Sequence, residues 1–157
     1  MNATLSTSSA AQTAIAAVKV HRDIAAPADI IFDAWLDAES LSGWLHPVPT
    51  THCSARIDAR EGGDFEIVMY LDGEPLPHTG RYIRIARHTQ LVFTWASPAT
   101  QRQETLVTVD FTENEGSTRV TVTHEKLPEN RETACSHHDG WTDALRQLAI
   151  LASAKTA

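Results

Sequence analysis

Residues 135 to 141 read CSHHDGW. A thiol, two imidazoles and a carboxylate at this spacing are the donor types of a zinc site. A histidine beside an acid is also the pairing used for general acid–base catalysis. Both chemistries need side chains that converge on one point, so the local structure decides between them.

From Glu129 to Ser153 the chain has no proline and is rich in helix formers, which predicts a helix of about 24 residues. Each helical residue advances about 100°. His137, Trp141, Ala144, Leu148 and Leu151 then share one face, with Ala134 and Leu145 at its edges. His138 lies a quarter-turn away and Asp139 nearly opposite. The stretch therefore splits: His137 turns inward with Trp141, while His138 and Asp139 face solvent. Gly140 weakens a mid-helix position by about 1 kcal/mol relative to Ala, which predicts close packing or a bend there.

Elsewhere the donors are dispersed. Neither CxxC nor HExxH occurs, and the eight histidines are scattered along the chain. The best remaining cluster is His46, His52 and Cys53 in HPVPTTHC. No metal and no cofactor are expected. His124, Glu66 and Arg81 could pair in principle, but Glu66 and Arg81 fall on the outer face of a sheet, where cross-strand ion pairs are common. No Ser-His-Asp order or activated nucleophile stands out, and no catalytic residue is assigned. Gly62-Gly63 lacks a P-loop pattern and precedes a strand, so it reads as a hairpin turn.

The elements that would position these groups follow from periodicity. Residues 17–24 read as a strand. Pro27 starts a short helix over ADIIFDAWLDAE, and LSGWLHP adds a shorter helical turn. Trp35 and Trp44 read as anchors clamping these helices to the sheet. HPVPT is irregular, because its prolines prevent regular structure. From residue 52 the period changes to two. Strands are predicted over HCSARIDA, DFEIVMYL, HTGRYIRIAR, HTQLVFTWAS, QETLVTVDF and TRVTVTHEK, with DGEP as a turn. Thr105, Val107, Val109 and Phe111 share a face, as do Val120, Val122 and His124. With the first strand this gives seven antiparallel strands, apolar on one face and polar on the other. The long helix must cover the apolar face. Met69, Tyr82, Trp95, His124, His137 and Trp141 then converge between sheet and helix as candidate ligand-binding residues.

The 157 residues fit one domain, expected over 17–155 after a flexible arm over 1–16. The net charge is −7 and no basic cluster occurs, which argues against nucleic acid or an anionic membrane as partner. No apolar run is long enough to span a bilayer. The N-terminus has no basic region ahead of its weak apolar stretch, so no signal peptide is read. Two cysteines are too few for a disulfide framework, and a reducing, cytoplasmic setting is expected. Whether they pair stays open.

A strand, two short helices, six strands and a long helix make an α+β helix-grip arrangement. Within it, WLDAESLSGWL, DAREGGDFEIVMYLDGE, HTGRYIRIARHTQLVFTW, TLVTVDFTENEGSTRVTVTHE and GWTDALRQLA follow in order. Together they resemble the signature segments of the homologues of the activator of the ninety-kilodalton heat-shock protein ATPase, within the START-like (SRPBCC) superfamily. The resemblance runs from about Val18 to Leu151. It implies a curved sheet gripping the long helix around a cavity for a small hydrophobic or amphipathic ligand. It also implies two alternatives: a cyclase, dehydratase or hydrolase using His137 or His124 as acid or base, and a chaperone-associated or stress-response interaction module. A monomer or homodimer is expected.

Overall fold

The computed structural model describes residues 16–156. The chain runs β1 (Ala16–Ile24), α1 (Ala28–Leu36), α2 (Ala38–Ser42), β2 (His52–Ile57), β3 (Asp64–Leu71), β4 (Glu74–Ala86) and β5 (Gln90–Trp95). A 3-10 turn (Pro98–Thr100), β6 (Thr105–Asn114), β7 (Ser117–Leu127) and α3 (Arg131–Thr156) complete it. The expected arm lies outside the described residues except for Ala16, which opens β1.

The strands form one sheet in the order β1-β7-β6-β5-β4-β3-β2, and every neighbouring pair is antiparallel. The first strand closes onto the last, and the other strands follow as a meander. Alternation sets the buried face. Val107, Val109 and Phe111 of β6 lie opposite His124, Val122 and Val120 of β7, and all six side chains are buried. This is the helix-grip α+β fold. The β3–β4 and β6–β7 hairpins turn through Asp72-Gly73 and Glu115-Gly116, all four with positive φ. That is the conformation whose twist matches two right-twisted strands.

One boundary differs from expectation. DGEP is not wholly turn, because β4 begins at Glu74 and carries Pro75 and Pro77 inside the strand. These prolines pair with Tyr70 and Val68 of β3, whereas β5 joins β4 only from Tyr82 to Ala86, with one bridge at Thr79–Ala96. The proline end of β4 is thus a two-stranded ribbon with one free side, where a missing N–H breaks no ladder.

The short helices are pinned from outside themselves. Glu113 Oε1 accepts from Ala28 N–H at 2.8 Å at the start of α1, and Asp37 caps α2 by accepting from Ser40 N–H. Trp35 and Trp44 are buried and meet edge-on at 4.7 Å, and Trp44 Nε1 donates to Ala34 O at 3.1 Å. They are packing anchors, as their sequence positions suggested.

Helix α3 buries Trp141, Ala144, Leu145, Leu148 and Ala152. The buried face is therefore turned slightly from the one centred on His137, toward Leu145, and leaves Leu151 half-buried. His138 and Asp139 are exposed, as expected. The helix runs unbroken through Gly140. A Cβ there would meet only Pro47, at 3.8 Å or more, so the expected close packing is absent. No helix among the described residues is long and apolar enough to cross a membrane.

Candidate functional site

A cavity of about 400 Å³ opens between the first half of α3, the β3–β4 ribbon and the proline-rich segment after α2. Met69 and Leu71 come from β3, and Leu76 and His78 from β4. Trp95 closes the inner end, His137 and Trp141 supply the helix wall, and Pro47, Val48 and Pro49 form the outer wall. The irregular segment is held over the cavity by α3. Asp143 Oδ2 accepts from Val48 N–H at 3.0 Å, and Gln147 Nε2 donates to His46 O at 3.0 Å. Burial opposes the charge on Asp143, but Val48 N–H, Gln147 and Arg146 outweigh it and hold the carboxyl below its ordinary value.

Four of the six expected residues line this cavity: Met69, Trp95, His137 and Trp141. Tyr82 and His124 do not. Tyr82 sits deeper, against Phe65 and Phe93, beside a void of about 10 Å³, hardly room for one water molecule. Burial pushes its phenol up in pKa.

His124 lies wholly buried behind the cavity wall. Its Nδ1 accepts from Trp141 Nε1–H at 3.1 Å. Indole N–H only donates, so the His124 proton sits on Nε2. Nε2 then donates to Thr105 Oγ1 at 2.7 Å, and that hydroxyl donates to Trp95 O at 2.6 Å. Every polar atom in this relay is satisfied. Burial, with a smaller contribution from His137, pushes the imidazole down to about 3. His124 is thereby fixed as a neutral strut that orients Trp141, and no atom of it is left to exchange a proton with a ligand.

His137 is different. Its Nδ1 lies 2.8 Å from Thr133 O. A carbonyl only accepts, so Nδ1 carries the proton. Burial holds the imidazole below its ordinary value despite the pull of that carbonyl. Nε2 is left as a bare acceptor. The ring stands edge-on to His124 at 4.9 Å.

His78 was missed in the sequence, although Tyr82, two strand positions beyond Gly80, pointed to the same face. It lies opposite buried Ile67 and stacks obliquely on Trp95 at 5.0 Å. Its Nδ1 donates to Leu76 O at 2.8 Å. Burial pushes it down to about 4, against the Leu76 and Ile67 carbonyls. Pro47, Val48 and Pro49 were also missed as lining, because their irregular backbone offers no period to read.

Metal chemistry gains nothing from this arrangement. Among the described residues no group of three His, Cys, Asp or Glu comes together to hold an ion. His52 stacks flat on Tyr70 at 4.4 Å. Cys53 turns inward, its thiol pushed up to about 11 by burial. Cys53 and Cys135 are both free. Glu66 and Arg81 pair with Arg56 and Asp64 on the exposed face.

The same architecture occurs in solved structures. A Chromobacterium violaceum protein superposes with a TM-score of 0.76 at 23% identity, over 87% of this chain and 97% of its own. A Nitrosomonas europaea protein gives 0.74 at 21%, over 88% and 95%. A solution structure from Arthrobacter aurescens gives 0.75 at 19%, over 87% and 86%. At these identities the likeness is one of fold. A comparison with curated proteins found no match. A family model does match residues 25–153, nearly the whole of the described chain, and the protein accordingly belongs to the START-like family described as activator of Hsp90 ATPase homolog 1-like protein.

Proposed function

We propose that this protein binds a small, largely apolar molecule in the cavity between α3, the β3–β4 ribbon and the proline-rich segment. The observation that carries the reading is an apolar, aromatic-walled space of about 400 Å³ with the imidazoles of His78 and His137 among its few polar lining groups. Small-molecule sites are typically apolar clefts of about 300–1,000 Å³ with a few fixed polar groups. An acid–base enzyme is less well supported, because His124 is locked and His137 is tied to the helix backbone. The binding unit is taken as one domain over 17–155. Free Cys53 and Cys135 fit a reducing, cytoplasmic setting.

Native mass spectrometry of freshly purified protein, with the denatured mass as control, tests this reading. A small non-covalent adduct that disappears on denaturation is expected. Failure of the protein to take up any apolar molecule, either during purification or on titration, overturns it.

A second reading draws on the family itself. Ile150 is 62% exposed near the end of α3, beside a shallow surface formed with Gly43, Leu151 and Ala154. A chaperone-associated module would use such a patch. Loss of co-purification with an Hsp90-type chaperone on Ile150→Glu would support it, and absence of any association would remove it.

A further inference from the structure

The shape of the cavity narrows its ligand further, given that the ligand-binding reading holds. Its lining is graded by depth. Val48, Pro49, Ala99, Ser136 and Asp139 are exposed and form the mouth. Thr50, His78 and His137 are half-buried behind them. Leu45, Met69, Trp95, Trp141 and Ala144 are buried and form the inner end. Trp141 spends its indole N–H on His124, so the N–H of Trp95 is the one side-chain donor left at that end. The hydroxyls, imidazoles and carboxylate all lie nearer the mouth.

Leu45 and Trp95 bound this inner end on both sides. They line the cavity and also the void of about 10 Å³ beyond it, and they are the two residues common to both linings. Each side chain therefore reaches from one space to the other, as a partition a single side chain thick. Behind it stand Phe65, Ile67, Tyr82 and Phe93 of the sheet with Trp35 and Leu41 of the short helices, and no charged residue lines the void. Trp95 is clamped by rings on several sides, His78 at 5.0 Å, Trp141 at 5.4 Å, and Phe65 and Phe93 at 6.2 Å each. Leu45 is the aliphatic half of the partition. It is 2% exposed, and its N–H donates to Leu41 O at 2.9 Å, which fixes its backbone just after α2.

We propose that the cavity takes an elongated molecule tail first, with its polar end at the Ser136–Asp139 mouth, and that Leu45 sets the longest tail accepted. An apolar tail gains about four-fold in affinity for each methylene that leaves water. The gain stops where the tail meets Leu45 and Trp95, because a close-packed interior admits nothing more without displacing a side chain. The polar end loses least at the mouth, where water and the polar lining groups still solvate it. Leu45 is thus a specificity-determining residue that rejects by length, and the void behind it is the room released when it is cut back.

The test is isothermal titration calorimetry with n-alkyl β-glucosides, from hexyl to dodecyl, below their micelle concentrations. The sugar is too polar to enter and fixes the direction of the tail. On the wild type, affinity should climb about four-fold per methylene and then level off within the series. Leu45→Ala trims the side chain to its Cβ and opens the partition onto the void. The break should then move to tails longer by about two or three methylenes, because such a site collapses only in part. Leu76→Ala, at a residue that lines the cavity but not the void, should weaken every tail alike and leave the break where it is. No break within the series, a break unmoved by Leu45→Ala, or a break moved equally by Leu76→Ala would each overturn the proposal while the cavity stands as a binding site. Should Leu45→Ala fail to fold, Leu45→Val should move the break by about one methylene, and an unmoved break there overturns the proposal likewise. If no glucoside binds the wild type, the proposal falls, and the native mass spectrum separately decides the ligand-binding reading.

Discussion

At the scale of the residue, the imidazoles behind and beside the cavity are kept neutral by burial, and this has a cost in acid. His124 and His78 are pushed down to about 3 and about 4 in the folded protein, whereas an unfolded chain protonates its histidines near pH 6.5. The unfolded state therefore binds more protons wherever the pH lies between these values. The stability from neutral burial is complete above about pH 6.5 and is lost progressively as the pH falls toward 4 and then 3. Each imidazole should contribute a slope of about 1.4 kcal/mol per pH unit in that window. The lowered carboxyls of Asp23 and Asp143 act only below their ordinary value of 3.8. Denaturant unfolding at about pH 7 and about pH 5 should show the lower stability at the acid value, and His78→Leu should flatten the difference. No change between the two would contradict the neutral burial of these rings. The inward turn of His124 could be read from its parity with Val120 and Val122. Its relay could not, because the partners Thr105 and Trp141 depend on strand register and on how α3 seats.

At the scale of the element, the decisive contact is between α3 and the segment from His46 to Thr50. That segment has no periodic hydrogen bonding of its own. It is held in place by Asp143 and Gln147, which lie four residues apart on one helix and also bond to each other at 2.8 Å. Asp143→Ala removes the acceptor for Val48 N–H. Local opening of the segment should become easier by about 1–2 kcal/mol. Hydrogen exchange at the Val48 amide should then speed up by about ten-fold or more, while core amides such as those of Val107 and Val122 stay unchanged. An unaltered rate at Val48 would mean that other contacts hold the outer wall. The helix was legible from its proline-free run and its apolar face. The segment was legible only as irregular, because prolines announce what the backbone is not doing and leave open what it packs against. The proline start of β4 was hidden for the same reason: proline argues against a central strand, and only the topology shows that this end lacks a second neighbour.

At the scale of the whole molecule, the sheet and α3 enclose one continuous aromatic interior. The strand order was readable from alternating patterns joined by tight turns, and the long helix from its period. The depth of the cavity was not, because alternation assigns a side chain to a face and says nothing of how far along the sheet that face stays filled. Tyr82 and Met69 share the inner face, yet one packs against Phe65 and the other borders open space. The four tryptophans run through this interior in sequence of contact. Trp44 meets Trp35 at 4.7 Å, Trp35 meets Trp141 at 6.0 Å, and Trp141 meets Trp95 at 5.4 Å. Indoles this near exchange electronic excitation faster than they emit, so light absorbed by any one of them wanders among all four. The emission of the protein is then a shared signal, drained at whichever ring is quenched. A molecule seated against Trp95 and Trp141 should dim nearly the whole emission, although Trp35 and Trp44 do not line the cavity. Quenching confined to half of the signal would show that the rings radiate independently.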